Sequence, residues 1–367
     1  RIDVRAPEFG RSETEYFHAI ASLGPRGHYP RYLYREQSYW TCAGIPDGDA
    51  CAIMSEEGMV EPRAGSFSLE PFLFFRDRLI TWADARIAQG LEHGCLPIPS
   101  SIWRADGITL RVTAFAQGPP DEATLLVRYR LQSVSRQTQR VRLLVAIRPF
   151  QVTPPWQAWR DLGGVSHIRS IRWRSGTAWV NGAIPVVPIT SPVAFGAAAF
   201  HEGPLTDRLA RGQTPESQRA DDPTGLASAA LRFDLRLTPD TPTDILLATP
   251  LARTPAPGLG PLRRALARRR HADPLDSAIG MWDSRLRTPQ VSLPASAAAS
   301  AATCLTAIAQ ILVNRDGPAI QPGPRRYTRS WIRDGAIMCA ALLRAGLHNE
   351  VREYIQWYAS HQRGDGF

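Results

Sequence analysis

Hydrophobic and polar residues alternate with a period of two in several segments of the first 250 residues. The clearest of these segments are residues 108–113, 125–131, 141–147, 171–180 and 231–237. A period of two is typical of β-strands that bury one face and expose the other. No helix of crossover length separates the segments, so the pattern predicts a large antiparallel β-sandwich and not a parallel sheet. We expect the first three segments to be neighbours, with arginines such as Arg128 and Arg130 on the outward face.

Two long segments between these strands lack a clear period. Residues 153–164 are rich in glycine and proline, and residues 202–225 are polar. Such segments are typical of surface loops, and for the second of them we expect disorder.

The period changes from two to that of a helix after a linker rich in proline and glycine at residues 253–261. Asp273 followed by Pro274 is typical of a helix start, with aspartate as the N-cap and proline at the first helical position. Further helices are predicted at about residues 296–314, at 331–345 with Gly346 as the C-terminal cap, and from about residue 349. The predicted organisation is a sandwich domain at 1–252, a linker with connecting helices at 253–290, and a helical domain at 291–367.

The charge and cysteine content argue against several kinds of function. The chain has a net charge of +9 and contains arginine but no lysine. Only residues 263–270 form a basic run, and no aromatic residues are interleaved with it, so we predict no nucleic-acid partner. The five cysteines have irregular spacing, which predicts neither a metal site nor a cofactor, while Cys42 and Cys51 flank a turn and either bridge or remain a buried thiol pair. Residues 295–313 are too polar for a confident membrane span, so we predict a buried helix there and no membrane partner.

Residues 326–335 concentrate the side chains most suited to chemistry, at the entry of an apolar helix. Trp331 offers a flat face on which a sugar ring can stack, and Arg333 and Asp334 can form charge-assisted hydrogen bonds to neighbouring hydroxyls. Another interpretation remains open, in which Asp334 complements the helix N-terminus and Trp331 anchors the loop in the core.

The same segment, preceded by the Pro-Gly-Pro-Arg loop at 322–325 and an alanine-rich helix, resembles the Trp-x-Arg-Asp segment of glucoamylase-like enzymes. These belong to a superfamily of glycosidases built on a toroid of six helical hairpins, and bacterial members often carry an N-terminal β-supersandwich. The resemblance implies that Arg333 and Asp334 hold a sugar at the non-reducing end and that Trp331 shapes its pocket. Tyr327 and Arg329 of the same motif are further candidate substrate-binding residues.

The resemblance also implies a function, namely hydrolysis of an oligo- or polysaccharide by a bacterial-type glycoside hydrolase with an inverting mechanism. The family's general acid and base lie on later hairpins, so the catalytic residues are expected beyond residue 367, and a chain that ends there is expected to be an inactive fragment. An inverting disaccharide phosphorylase and a non-catalytic carbohydrate-binding protein are the alternatives. Asp365 lies in a Gly-Asp-Gly segment and is a further candidate for ligand contact, although such segments are more often turns. The sequence leaves oligomeric state and cellular location open.

Overall fold

Two antiparallel sheets and six α-helices form the computed structural model, which describes residues 12–157, 162–239, 241–252, 273–287 and 293–366. The basic run at 263–270 and most of the predicted linker lie outside these described residues. The sheets are made of β1 Trp40–Ala43, β2 Ala52–Ser55, β3 Val60–Glu61, β4 Ser68–Phe75, β5 Arg78–Ile80, β6 Arg86–Leu91, β7 Pro99–Ala105, β8 Ile108–Gln117, β9 Thr124–Ser133, β10 Gln139–Arg148, β11 Ser170–Arg174, β12 Thr177–Val180, β13 Ile184–Pro188, β14 Ala194–Ala198, β15 Arg219–Asp221, β16 Ser228–Leu237 and β17 Thr243–Pro250.

The two sheets differ in their strand order. The first sheet runs β1-β2-β3-β4-β10-β16-β14, with β5 paired to β4, and the second runs β15-β11-β12-β13-β17-β9-β8-β7-β6. Every strand pair within the described sheets is antiparallel, as the alternating pattern predicts. The core between the sheets is built from the inward side chains of both, including Val127 and Tyr129 from β9 and Leu143 and Val145 from β10.

One predicted neighbour relation is wrong. β8 and β9 pair as expected, but β10 lies in the other sheet between β4 and β16. The connection from β9 to β10 therefore crosses from one sheet to the other. The period of two identifies a strand and its buried face, but it carries no information about the sheet to which the strand belongs.

The polar segment at 202–225 is ordered, which contradicts the predicted disorder. It contains the short helix α2, Leu205–Leu209, and the strand β15. Leu205 and Leu209 pack against Phe72 of β4 and Leu144 of β10 on the outer face of the first sheet. These apolar contacts hold the segment in place because they bury a hydrophobic face that the sheet would otherwise expose.

The other helices are α1 Glu13–Leu23, α3 Pro274–Arg285, α4 Ala298–Val313, α5 Ile332–Arg344 and α6 His348–Ala359. Helix α1 was not predicted from the sequence. The start of α3 confirms its prediction, since the Asp273 carboxylate accepts a hydrogen bond from the Leu275 amide at 2.9 Å. Helices α4 and α5 begin and end within about two residues of their predicted limits, and α6 begins within one residue of its predicted start.

A second core joins the helices to the outer face of the second sheet. Phe115 and Leu126 of β8 and β9 pack in one cluster with Trp282 of α3 and Leu312 of α4. Arg128 lies on the outward face of β9, as predicted, but the helices bury it there and it pairs with Asp273. The sandwich thus carries the helices on one of its faces.

Helix α4 is less buried than predicted. Its buried side chains are confined to the C-terminal half, at Ile308, Ala309, Leu312 and Val313. The alanine-rich N-terminal half is largely exposed. In the described part of the chain, the segment Ala295–Val313 is the one helix that is long and apolar enough to cross a membrane. This is weak evidence for a membrane span, because the core helices of other proteins pass the same test.

Candidate functional site

The segment before α5 is a compact turn that places Trp331 at the head of the helix. Residues Arg325–Tyr327 form one turn of 3-10 helix, and the Thr328 hydroxyl donates a hydrogen bond to the Arg325 carbonyl at 2.9 Å. The Ser330 hydroxyl donates to the Ile320 carbonyl at 2.8 Å. Trp331 then serves as the N-cap of α5 with an extended backbone. These local bonds fix the direction in which the segment meets the helix.

Tyr327, Arg329 and Trp331 form one group of side chains on this turn. The rings of Tyr327 and Trp331 have centroids 6.1 Å apart and are inclined by 56°. The guanidinium carbon of Arg329 lies 5.9 Å from the centroid of the Trp331 ring, within the range of a cation–π contact. Tyr327 is 57% exposed and Trp331 is 37% exposed, so the interpretation of Trp331 as a core anchor does not hold.

Arg333 and Asp334 form a second group in the first turn of α5. An Nη of Arg333 lies 3.2 Å from a carboxylate oxygen of Asp334. The Arg333 side chain is 82% exposed and that of Asp334 is 28% exposed. The Arg333 side chain is long enough for its guanidinium to reach back to the carboxylate of the adjacent residue. This pair presents donors and an acceptor side by side to solvent.

Asp365 lies in the exposed turn that follows α6, where the Gly366 amide donates to the Arg363 carbonyl at 2.9 Å. The turn itself agrees with the ordinary role of a Gly-Asp-Gly segment. A contact between Asp365 and a ligand stays a prediction.

Gly335 allows α6 to approach the start of α5 closely. A Cβ atom at this position would overlap the hydroxyl and ring of Tyr354. The Tyr354 hydroxyl is buried with no hydrogen-bond partner in the described structure, and burial raises the pKa of Tyr354 to about 12. The glycine of the motif therefore has a packing role, which supports the first turn of α5 from behind.

A cleft of about 390 Å³ lies beside this turn, between the sandwich and the helical part. Its walls come from the β1–β2 connection, the loop between β3 and β4, and the segment from the end of α4 to Thr328. Arg63, Gln321 and Arg325 are among the residues that line it. A cleft of this size and mixed lining is typical of small-ligand sites.

Arg325 is fixed in the wall of the cleft by a buried ion pair. Its Nε donates to Glu61 at 2.7 Å and one Nη donates to the Cys51 carbonyl at 3.0 Å. The other Nη is buried and has no hydrogen-bond partner within the described residues. Arg325 also adopts a backbone φ of +62°, which is uncommon for a side-chain-bearing residue and consistent with a position held by its surroundings.

Cys42 and Cys51 are buried thiols and form no disulfide. Both sulfur atoms lie near the Asn314 side-chain oxygen, at 3.6 and 3.9 Å. The hydrogen bond from Cys42, together with the nearby Arg325 guanidinium, lowers the pKa of Cys51 to about 7. The same shared bond and burial raise the pKa of Cys42. Among the described residues there is no cluster of three or more side chains able to hold a metal ion.

Comparison with solved structures shows the fold. Over 89% of its length the chain matches a bacterial glucoamylase complexed with acarbose, with a TM-score of 0.59 and 9% sequence identity, and it covers 51% of that chain. This is a glucoamylase-like fold. The described chain spans about half the length of this glucoamylase, and the likeness at this identity concerns the fold.

Two further solved structures are more distant from this glucoamylase-like chain. They are a kojibiose phosphorylase described as putative, from the human microbiome (TM-score 0.47, 7% identity, 85% of this chain and 45% of that one), and a family 92 glycosyl hydrolase (TM-score 0.39, 10% identity, 74% and 38%). No protein-family model and no curated protein matches the sequence.

Within the glucoamylase-like fold, the turn before α5 carries a local sequence motif, whereas the cleft beside it does not. Arg63 and Gln321 come from loops far apart in the chain and carry no local motif. Arg325 is the last residue of the Pro-Gly-Pro-Arg loop and directly precedes the motif. This position is the one sequence signal that could have identified it.

Proposed function

We propose that this chain belongs to a carbohydrate-active enzyme, a glycoside hydrolase of glucoamylase-like type that acts on an oligo- or polysaccharide. The observation that carries the proposal is the exposed Tyr327 and Trp331 pair, followed at once by the Arg333 and Asp334 pair, at the head of a helix in a glucoamylase-like fold. Aromatic rings next to paired charged groups are suited to sugars, because sugars have an apolar face and a rim of hydroxyls.

Each side chain has a distinct role in this proposal. The Trp331 ring stacks on the apolar face of a sugar, and Tyr327 and Arg329 fix the orientation of that ring. The Arg333 guanidinium donates hydrogen bonds to hydroxyls, and the Asp334 carboxylate accepts them from neighbouring hydroxyls. Because the two groups are already paired, the sugar joins an existing network and leaves no charge unpaired.

The proposal divides the chain into a sandwich at 1–252, a linker at 253–290 and the first hairpins of an α/α toroid from residue 291. In an inverting hydrolase a carboxylic acid protonates the leaving oxygen, while a carboxylate on the opposite face activates water. We place these two groups on later helices of the whole protein, since the matched glucoamylase is about twice as long. The residues of the turn before α5 then bind and orient the substrate without transferring protons.

Hydrolysis assays with this chain and with a longer protein test the proposal. The expected result is that residues 1–367 bind oligosaccharide without turnover, and that the longer protein releases a product of inverted anomeric configuration, measured by proton NMR. Turnover by residues 1–367 would place the acid and base within this chain. Activity that depends on inorganic phosphate would instead identify a phosphorylase, and a product of retained configuration would contradict inversion.

A further inference from the structure

Three side chains in the cleft beside the turn have unused hydrogen-bonding capacity. One Nη of Arg325 is buried without a partner in the described structure, although the Arg325 side chain is only 3% exposed. The Gln321 carboxamide, on a residue 8% exposed, makes no hydrogen bond to the described residues. Arg63 is paired with no described carboxylate, and burial lowers the pKa of its guanidinium. A buried polar atom without a partner, such as this Nη of Arg325, is uncommon in folded proteins and calls for a ligand or water.

The charges around the cleft favour an anion at one part of it. The third arginine that lines it, Arg315, is paired with Asp47 at 2.6 Å and with Glu353 at 2.7 Å, so its charge is balanced. Arg325 is balanced by Glu61 but still offers its second Nη. Arg63 contributes a positive charge that no described carboxylate balances, and burial makes that charge costly unless an anion approaches it.

The rest of the lining is suited to hydroxyl groups. Asp49 is the one carboxylate among the described lining residues, and it opposes a purely anionic ligand while suiting a donor of hydrogen bonds. Ser66 and Thr328 add hydroxyls, and the Gln321 carboxamide offers both donors and an acceptor. A ligand that carries hydroxyls together with one anionic group matches this combination better than inorganic phosphate does.

We infer that this cleft is a second saccharide subsite, which takes the carboxylate of an acidic sugar on Arg63 and Arg325 and its hydroxyls on Asp49 and Gln321. The choice of a saccharide rests on the proposed function, whereas the anionic group follows from the cleft itself. Thr328 lines the cleft and lies three residues before Trp331. The substrate class that follows is an oligosaccharide containing uronic acid, with the acidic unit beside the unit that stacks on Trp331.

Titration calorimetry of the whole chain with free glucuronate, glucose and inorganic phosphate tests the inference. We expect glucuronate to bind at least tenfold more tightly than either of the others. Arg63→Gln is expected to lower the glucuronate affinity at least tenfold without lowering the melting temperature, because Arg63 makes no described ion pair. Gln321→Leu is expected to weaken the binding of glucuronate as well. Arg325→Lys is expected to do the same, because it keeps a charge for Glu61 but removes the free Nη.

Arg344→Gln is the matched control, because Arg344 is an exposed arginine at the end of α5 that does not line the cleft. It is expected to leave all affinities unchanged. The inference is overturned if glucuronate binds no more tightly than glucose, if phosphate equals glucuronate, or if Arg63→Gln behaves like Arg344→Gln. Trp331→Ala separates the two proposals. If this variant loses the binding of neutral oligosaccharide but keeps the binding of glucuronate, the two sites are independent.

Discussion

Arg325 Nε lies 2.7 Å from Glu61 Oε1, and this buried ion pair connects the turn before α5 to strand β3 of the sandwich. The Glu61 carboxylate also accepts hydrogen bonds from the backbone amides of Gly65 at 3.2 Å and Val152 at 2.9 Å. The carboxylate therefore accepts hydrogen bonds from one guanidinium and two amides. Through this contact the sandwich helps to fix the position of the proposed sugar-binding turn.

Breaking this ion pair is expected to destabilise the whole chain. Glu61→Gln leaves the Arg325 charge buried without a counterion, and removal of one partner of a buried pair costs about 3–5 kcal/mol. Urea unfolding followed by circular dichroism measures the change. Asp221→Asn is the control, because it removes one partner of the exposed pair with Arg172 at 2.9 Å, where about 1 kcal/mol or less is expected. Equal effects of the two substitutions would contradict the importance of the Glu61 contact.

Gly335 is expected to be intolerant of a larger side chain. In Gly335→Ala the new methyl group overlaps Tyr354, and overpacking of this kind costs about 1–3 kcal/mol. Gly280→Ala on α3 is a matched control, because a Cβ atom there meets nothing within 4 Å. Helix propensity alone is expected to make that variant more stable by about 0.5–1 kcal/mol. Thermal unfolding of both variants distinguishes the packing effect from helix propensity. Similar melting temperatures of the two variants would contradict the packing role of Gly335.

The stability of the chain is expected to depend on pH through Cys51. Its folded-state pKa of about 7 lies below the ordinary value of 9.0, so folding favours the thiolate. The resulting stabilisation is complete above pH 9 and is lost as the pH falls through 7. The free energy of unfolding should rise by up to about 2 kcal/mol from pH 7 to pH 9. Cys51→Ala should reduce this rise, and an unchanged pH dependence would mean that Cys51 does not ionise in the fold.

Arg333 is expected to contribute to binding but not to stability. Its pair with Asp334 is exposed on the arginine side, and such pairs contribute about 1 kcal/mol or less to folding. Arg333→Ala should weaken oligosaccharide binding by about 1.5–3 kcal/mol if the guanidinium donates a charge-assisted hydrogen bond. Arg352→Ala on α6, where the arginine is exposed and bonded to Asn349, is the control. Affinities measured by calorimetry that agree for the two variants would remove Arg333 from the site.

Helices α3 to α6 could be predicted closely from the sequence because their signals are local, whereas α1 and α2 were not predicted. The Asp273 cap, the apolar spacing of α5 and Gly346 after its end all act within a few residues. The sheets could be predicted only in part. Each strand has its own alternating pattern, but the partner of β10 is decided by the packing of β4 and β16, which lie far from it in the chain.

The same distinction applies to the site. The side chains from Tyr327 to Asp334 are adjacent in sequence, so their proximity could be predicted, although the return of Arg333 onto Asp334 depends on a rotamer. The cleft could not be predicted, because Arg63 and Gln321 meet only when the sandwich and the helices pack together. Burial of Arg128 likewise depends on the packing of α3 against β9, and the alternating sequence pattern of β9 does not indicate it.

The binding of a neutral oligosaccharide to Trp331→Ala tests the central claim most directly. Trp156→Ala is the matched control, because Trp156 is also an exposed tryptophan but lies in the connection that follows β10, against Tyr32. Titration calorimetry should show affinity reduced about tenfold in Trp331→Ala, from the loss of a stacking contact of about 1 kcal/mol or more, and unchanged in Trp156→Ala. Equal affinities for the wild-type chain and a folded Trp331→Ala variant would contradict a sugar site at the head of α5.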